Sequence, residues 1–302
     1  MEQEDLQPIT IVVACDDHYL IMLAALLKSI ELNHKTEEPI RVFIVEDNVS
    51  RKNKSRLEAS VTDGKISLHW IKMSDTIPKG MQFPLDNNTY PLNIYIRLLI
   101  PYFLPKEIKR VLFLDVDMIM LEDISKLWHT DIGDKTIGAV TDSVTKTLRH
   151  GVANYKELGL DPDVKYYNAG LQIINLEKWR AQGMTEKIFK SIEENISYAK
   201  PVDQYGANVC MVNQWHELDP LWNYFSNGNN PSPYLIHYFH RKPFYKSYSN
   251  NPLYKDIFYD YLNQTPWSNS KPVGELSRYA KKLSNVLQKV PLLFSSKLSL
   301  NK

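Results

Sequence analysis

Hydrophobic positions fall in short, separate blocks along the first two thirds of this chain, and their period switches between that of a strand and that of a helix. Ile9-Thr10-Ile11-Val12-Val13-Ala14 is a β-branched run that reads as a strand buried on both faces. Cys15-Asp16-Asp17-His18 breaks it, and either aspartate can cap the helix that follows. That helix runs from about Tyr19 to Asn33, with Leu20, Leu23, Ala24, Leu27 and Ile30 on one face. A strand from Arg41 to Val45, a charged helix from about Ser50 to Ser60 and a strand from Ile66 to Ile71 come next. Strands and helices in alternation predict a largely parallel sheet covered by helices.

The stretch from Asp86 to Tyr95 is polar and Asn-rich, and leads into a helix around Ile94 to Phe103. Val111-Leu112-Phe113-Leu114 is the most apolar strand, with two aspartates directly behind it. Gly138 to Thr141 and Leu171 to Ile174 read as further strands, and Leu176 to Asn195 as one long amphipathic helix. From Asn227 to Asn251 the chain is rich in Pro, Asn and Tyr and is expected to be irregular, so the sheet domain is taken to span residues 1–250. Residues 251–302 form a separate tail. In it Leu276, Tyr279, Ala280, Leu283, Val286, Leu287 and Val290 recur on one helical stripe. Arg278, Lys281, Lys282 and Lys289 lie off the stripe, and Leu292-Leu293-Phe294 follow Pro291.

Composition changes this picture in one respect, which is charge. The whole chain carries a net +1, but the segment from Lys271 onward holds seven Lys/Arg and one acid, leaving a mildly acidic body. That distribution argues against general nucleic-acid binding and for a local contact made by the tail. The striped basic helix predicts attachment to an anionic lipid surface; a helix docked on the domain, or on an identical partner chain, is the alternative. Cys15 and Cys210, the two cysteines, give no disulfide framework and no zinc spacing. The polar, acidic Met1 to Pro8 does not resemble a signal peptide, and no apolar run reaches the roughly 20 residues of a membrane span. The expected location is the cytoplasm, or the inner face of the cell membrane as a peripheral protein.

Four groups of residues carry chemistry. Asp115 and Asp117, spaced i, i+2 on an extended segment behind a buried strand, can both face one hard cation such as Mn²⁺ or Mg²⁺. Alternatively they cap a turn. Asn168, with Ala169 and Gly170, offers an amide beside backbone that a ligand can approach closely. Asp203-Gln204 opens a helix, where Asp203 would by default be an N-cap. His237-Tyr238-Phe239-His240-Arg241-Lys242 puts two imidazoles and two cations in an irregular, aromatic segment, suited to a metal or to phosphates. Asp16 and Asp115 both sit just past strand ends, where open parallel sheets bind ligands.

In their order along the chain these motifs resemble family 8 glycosyltransferases over roughly Ile9 to Phe244, most nearly the bacterial lipopolysaccharide α-galactosyltransferases and related glucosyltransferases. The likeness rests on Ala14-Cys15-Asp16-Asp17-His18-Tyr19, Tyr95-Ile96-Arg97-Leu98, Leu112 to Met118, Tyr167 to Gly170 with Asn175-Leu176 and Trp179-Arg180, Asp203-Gln204, and His237 to Pro243. It implies a GT-A (Rossmann-like) α/β fold, a UDP-sugar donor (UDP-glucose or UDP-galactose), Mn²⁺ or Mg²⁺, a lipid- or protein-linked saccharide acceptor, and transfer with retention of configuration. Carried over by position, Asp16 would bond the uracil, Tyr19 would stack on it, and Ala14 and His18 would complete that pocket. Asp115, Asp117 and His237 would ligate metal, with Val116 between them on the donor, and Lys242 would contact the diphosphate. Arg97, Asn168, Ala169, Asp203 and Gln204 would line the sugar, with Asp203 and Gln204 nearest the chemistry. His18 stands where relatives often have Asn, and the His237 segment is one residue short and lacks a Gly, which leaves His240 as an alternative ligand. Two other readings of the strand-Asp-x-Asp pattern are an aspartyl-phosphate phosphatase or phosphotransferase and a non-catalytic sugar-nucleotide-binding partner of another transferase.

Overall fold

A computed structural model describes residues 7–84 and 91–299, with side chains up to 288. The extreme amino terminus, the Asn-rich stretch up to residue 90 and the side chains of Lys289, Val290 and Leu292 to Phe294 lie outside the described residues. Strands β1 (Ile9–Asp16), β2 (Ile40–Asp47), β3 (Ile66–Lys72) and β4 (Arg110–Leu114) are followed by β5 (Met118–Met120) and β6 (Ile137–Thr141). Next come β7 (Tyr167–Asn175), β8 (Trp215–Glu217), β9 (Tyr224–Phe225) and β10 (Leu235–His237). The helices are α1 (Leu20–Asn33), α2 (Arg51–Glu58), α3 (Met73–Thr76), α4 (Ile96–Phe103), α5 (Ile124–Trp128) and α6 (Leu148–Gly151). They continue with α7 (Leu176–Ala181), α8 (Met184–Glu194), α9 (Val202–Cys210), α10 (Pro252–Leu262) and α11 (Glu275–Ser299).

Among the described residues the main sheet has the order β3-β2-β1-β4-β7-β6-β8, and a smaller one the order β5-β10-β9. Every neighbouring pair in the main sheet is parallel except those made by β7, which runs antiparallel to β4 and β6. This is the mixed, mostly parallel sheet expected of a GT-A-like Rossmann fold. Strand alternation divides the core between the two faces. Ile11, Val13 and Cys15 of β1 and Leu112 and Leu114 of β4 face α1 and α10, whereas Val12, Val111 and Phe113 face α4 and the α7–α9 layer.

Helix α1 is buried nearly all round rather than along one face: Met22, Ala25, Leu26, Ser29 and even Lys28 and Glu31 are buried. The reason is a second cover. Tyr254, Phe258, Leu262 and Trp267 pack into the same core, so the chain just past residue 251 is part of the body. Polar ties satisfy what the burial strands: Met120 N–H donates to Ser29 Oγ (2.9 Å), and Asn33 Nδ2 donates to Met120 O (3.0 Å) and Tyr261 Oη (2.8 Å).

The long helix expected from Leu176 to Asn195 is two helices. Gly183, at φ 57°, turns the chain between α7 and α8, and the apolar period simply resumes on the far side. Neither Asp16 nor Asp17 is the N-cap of α1; Tyr19 holds that position, without a side-chain cap bond. Asp17 instead accepts from Ser50 N–H (3.0 Å) and Asn53 Nδ2 (2.9 Å), pinning the start of α2. Asp203 likewise is no N-cap, since Pro201 holds that position. No helix among the described residues is long and apolar enough to cross a membrane.

Candidate active site

The reversal of β7 builds the site. Because β7 is antiparallel, its first residues lie where β4 and β6 end: Leu171 pairs with Leu114, Tyr167 with Thr141, and Asp115 N–H donates to Gly170 O at 2.7 Å. The β6–β7 register slips between Ala139 and Val140, beside Asn168, as bulges do where a side chain is re-aimed. Asp16, Asp115, Asp142 and Asn168 thus line one edge of the sheet, from four different strands or their ends.

Asp115, Asp117 and His237 converge so that one ligand atom from each lies within 4.8 Å of the others. The small sheet delivers the histidine: His237 of β10 pairs with Met118 of β5, one residue beyond Asp117, and Tyr238 N–H donates to Asp117 O at 2.9 Å. His240 is exposed, at φ 58°, and has no place in this cluster. Two observations show that the three side chains fit a divalent cation. Asp117 Oδ1 is buried, lies 3.3 Å from His237 Nε2 and makes no hydrogen bond. A Cβ on Gly170 would sit 2.7 Å from His237 Cε1 and 2.8 Å from Asp115 Oδ2, so the glycine keeps the cradle open.

Charge around the cradle is balanced by two cations. Lys242 Nζ pairs with Asp117 Oδ2 and donates to Tyr238 O (2.6 Å). Burial alone would raise the Asp117 pKa, yet Lys242 and His237 hold it well below the usual carboxylate range. Arg97, only 7% exposed, reaches from α4 to Asp115 Oδ1 (2.8 Å) and Asp203 Oδ2 (3.3 Å) and lies over the Phe113 ring. Desolvation works against the guanidinium, but Asp115, Asp203 and Asp117 outweigh it and raise its pKa. Desolvation also pushes the Asp115 carboxyl up, against the pull of Arg97.

Beyond the cradle lies an amide network. Asn168 Nδ2 donates to Asp142 Oδ2 (2.9 Å), and Gln204 Oε1 accepts from Ala169 N–H (3.0 Å). Asn208 clamps α9 to this edge by accepting from Tyr167 N–H (2.8 Å) and donating to Tyr167 O (3.0 Å). Asp142 and Asn223 belong to the network and are absent from the sequence-based set. Asp142 follows β6 directly, the same signal that singled out Asp16 and Asp115. Asn223 ends a single 3-10 turn (Pro220–Asn223) and has no comparable signal. Val116, between the two aspartates, turns its side chain into the core, leaving only its backbone toward the site.

The other end of the edge gathers Asp16, His18 and Tyr19, with partly buried Ala14 behind them on β1. Asp16 Oδ1 accepts from His18 N–H (3.0 Å) and Tyr19 N–H (3.1 Å). The His18 ring lies 2.6 Å from Tyr245 Oη through Nε2 and meets Tyr19 and Phe244 edge-on, and burial lowers its pKa. Asp16 Oδ2 is taken by Lys281 Nζ at 2.6 Å, which comes from α11. That helix turns its polar face inward: Arg278 and Asn285 are buried, and Gln288 Nε2 reaches Asp47 Oδ2 (3.4 Å). Its apolar stripe faces out, with Leu276 86%, Leu283 61% and Leu287 60% exposed.

A mostly parallel sheet with an acidic, cation-ready cradle at the carboxyl end of its central strand defines an enzyme of GT-A-like type. Residues 10–251 match the family described as Glycosyl transferase family 8, and the chain belongs to it. It is thus a glycosyltransferase, and the phosphotransferase reading falls away. General stress protein A of Bacillus subtilis is 27% identical over 279 residues, covering 85% of this chain and 94% of that protein. The fold is similar to that of the galactosyltransferase LgtC solved in complex with donor and acceptor sugar analogs (TM-score 0.67, 24% identity, 85% of this chain and 96% of that one). It is also similar to the bifunctional glycosyltransferase WbbM (TM-score 0.70, 20% identity, 87% of this chain and 50% of that one).

Proposed function

We propose that this chain moves glucose or galactose from a UDP-sugar to a saccharide hydroxyl, with retention of configuration, in the synthesis of a bacterial surface glycan or glycoprotein. The observation that carries the reading is the Asp115–Asp117–His237 cradle with Lys242 beside it. Mn²⁺ or Mg²⁺ held there would supply Lewis-acid stabilisation of the departing diphosphate. Lys242 already stands at Asp117 and adds a positive charge for the phosphates. Arg97 pairs with Asp115 and Asp203 at once, which supports a role for Asp203 in holding sugar hydroxyls rather than in covalent attack. Gln204, Asn168 and the Ala169 backbone present a pre-ordered amide surface to the sugar. The acceptor hydroxyl then attacks on the face that UDP leaves, and the departing phosphate takes its proton. Asp16, His18 and Tyr19, with Ala14, form the base end, where Lys281 must yield Asp16 Oδ2 for a uracil to use it. A panel of UDP-sugars with Mn²⁺, scored by UDP release, is expected to show turnover with UDP-glucose or UDP-galactose that EDTA stops. Absence of turnover with every UDP-sugar would sink the reading and leave the non-catalytic role.

The location proposed for the chain is the cytoplasmic side of a membrane, with the outward stripe of α11 lying on anionic lipid and the acceptor lipid- or protein-linked. In support, Leu276, Tyr279, Leu283 and Leu287 are exposed together on one helix. Among the described residues, deleting 274–302 removes polar contacts but no buried apolar side chain, so the body should fold. Sedimentation with phosphatidylglycerol liposomes should be lost in that deletion; unchanged binding would exclude the membrane role.

A further inference from the structure

The amide network has a direction, and the direction ends on a metal-ligating atom. It starts at Asp142, whose Oδ1 accepts the Val144 and Thr145 N–H groups (2.9 and 2.8 Å) and whose Oδ2 accepts Asn168 Nδ2 (2.9 Å). A carboxylate can only accept, so the Asn168 amide is oriented with its nitrogen toward Asp142. Gly170 N–H, donating to Asn168 Oδ1 at 3.0 Å, fixes the same orientation from the other side. Reversing that amide would face oxygen with carboxylate and nitrogen with N–H, two like contacts at once. The Asn168 oxygen is met by Asn223 Nδ2 at 2.9 Å, which aims Asn223 Oδ1 at His237 Nδ1, 2.9 Å away. An oxygen there requires a proton on Nδ1, so the neutral ring carries its lone pair on Nε2. Nε2 is the ring atom that faces Asp117 Oδ1.

We propose that Asn223 is a positioning residue that holds His237 in its Nδ1–H form, through a relay anchored on Asp142, and so presents Nε2 to a divalent cation. The inference rests on the metal-dependent reading above. It gives a buried asparagine (4% exposed) on a short turn a task beyond filling space, and it links the sugar-facing amide to the metal cradle through hydrogen bonds. Outer partners of this kind orient ligating histidines and raise their basicity.

The test begins with the unmutated protein, metal-free and at alkaline pH. In ¹⁵N-histidine-labelled material, one of eight histidines is assigned to His237 by its loss in His237→Gln. The Nδ1–H tautomer is expected; the Nε2–H tautomer would overturn the proposal without any variant at Asn223. The second measurement is Mn²⁺ binding without nucleotide, read from the EPR signal of the free ion. Asn223→Leu should weaken it by about 10–100-fold, the usual effect of losing such a partner. Asn223→Asp keeps an oxygen toward Nδ1, although its other oxygen then faces Asn168 Oδ1, and should bind Mn²⁺ more tightly than Asn223→Leu. Equal Mn²⁺ affinity in Asn223→Leu and the unmutated protein contradicts the proposal. If the unmutated protein binds no Mn²⁺, the metal reading fails, whereas the tautomer still decides the role of Asn223.

Discussion

An Asp117→Asn protein is expected to bind Mn²⁺ poorly and to lose metal-dependent transfer by at least ~10²–10³-fold in kcat, on the scale of removing one electrostatic stabiliser. The argument starts from what the carboxylate does in place. Its Oδ1 is buried, lies 3.3 Å from His237 Nε2 and makes no hydrogen bond, while Oδ2 holds Lys242. An amide has the same shape but neither the charge that a cation needs nor the anion that positions Lys242. Stability should change little. The mutation costs the Lys242 pair, but it also ends the repulsion between two adjacent carboxylates, so a shift in Tm within about 4 °C is expected. Circular dichroism for the fold and a metal-titrated transfer assay check both halves. Full metal-dependent activity in this variant would remove Asp117 from the site.

Gly170→Ala is expected to do similar damage by steric means alone. The added methyl would lie 2.7 Å from His237 Cε1, 2.8 Å from Asp115 Oδ2 and 3.0 Å from Asn168 Oδ1. Whichever of the three moves, the cradle or the Asn168 amide is disturbed. Overpacking of this kind typically costs about 1–3 kcal/mol. Displaced ligands should lower Mn²⁺ affinity by about 10–100-fold, the range seen when ligand orientation is lost. Calorimetric Mn²⁺ titration and a thermal melt separate the outcomes: a lower Tm with unchanged metal affinity would mean that Gly170 matters for packing only.

Most of the frame was readable from residue pattern. The β-branched run at Ile9 and the apolar run at Val111 are the sheet's central strands, and the aspartates behind them occupy its carboxyl edge. What the pattern could not carry was direction. Leu171 to Ile174 reads as a strand from hydrophobicity, but the same letters serve a parallel or an antiparallel neighbour, and only the reversal of β7 brings Asn168 beside Asp115. The break at Gly183 was hidden because the apolar period continues across it. Asp142 follows the end of β6 as Asp16 and Asp115 follow or close their strands, so the strand-end signal reaches it too. Asn223 was not within reach, since its importance comes entirely from partners that are distant in sequence. The tail's stripe marks a helix, yet which side it buries depends on Asp16 and Asp47 in the body.

The reversal of β7 also bears on how the molecule comes into being. Leu114 waits for Leu171, and Ile137 of β6 pairs both with Ile174 and with Trp215. Such ladders, like the still longer-range pairing of Ile11 with Leu112, close long loops before any contact rewards them, and topologies of this kind fold slowly. The cradle and its amides are drawn from Arg97 at one end to Lys242 at the other, with no local cluster supplying them. A fragment ending before β10 would keep the parallel strands and the core on their α4–α9 face, but it would lose the α10 cover of α1 together with His237 and Lys242. Body and reaction centre are therefore completed by the same last quarter of the chain.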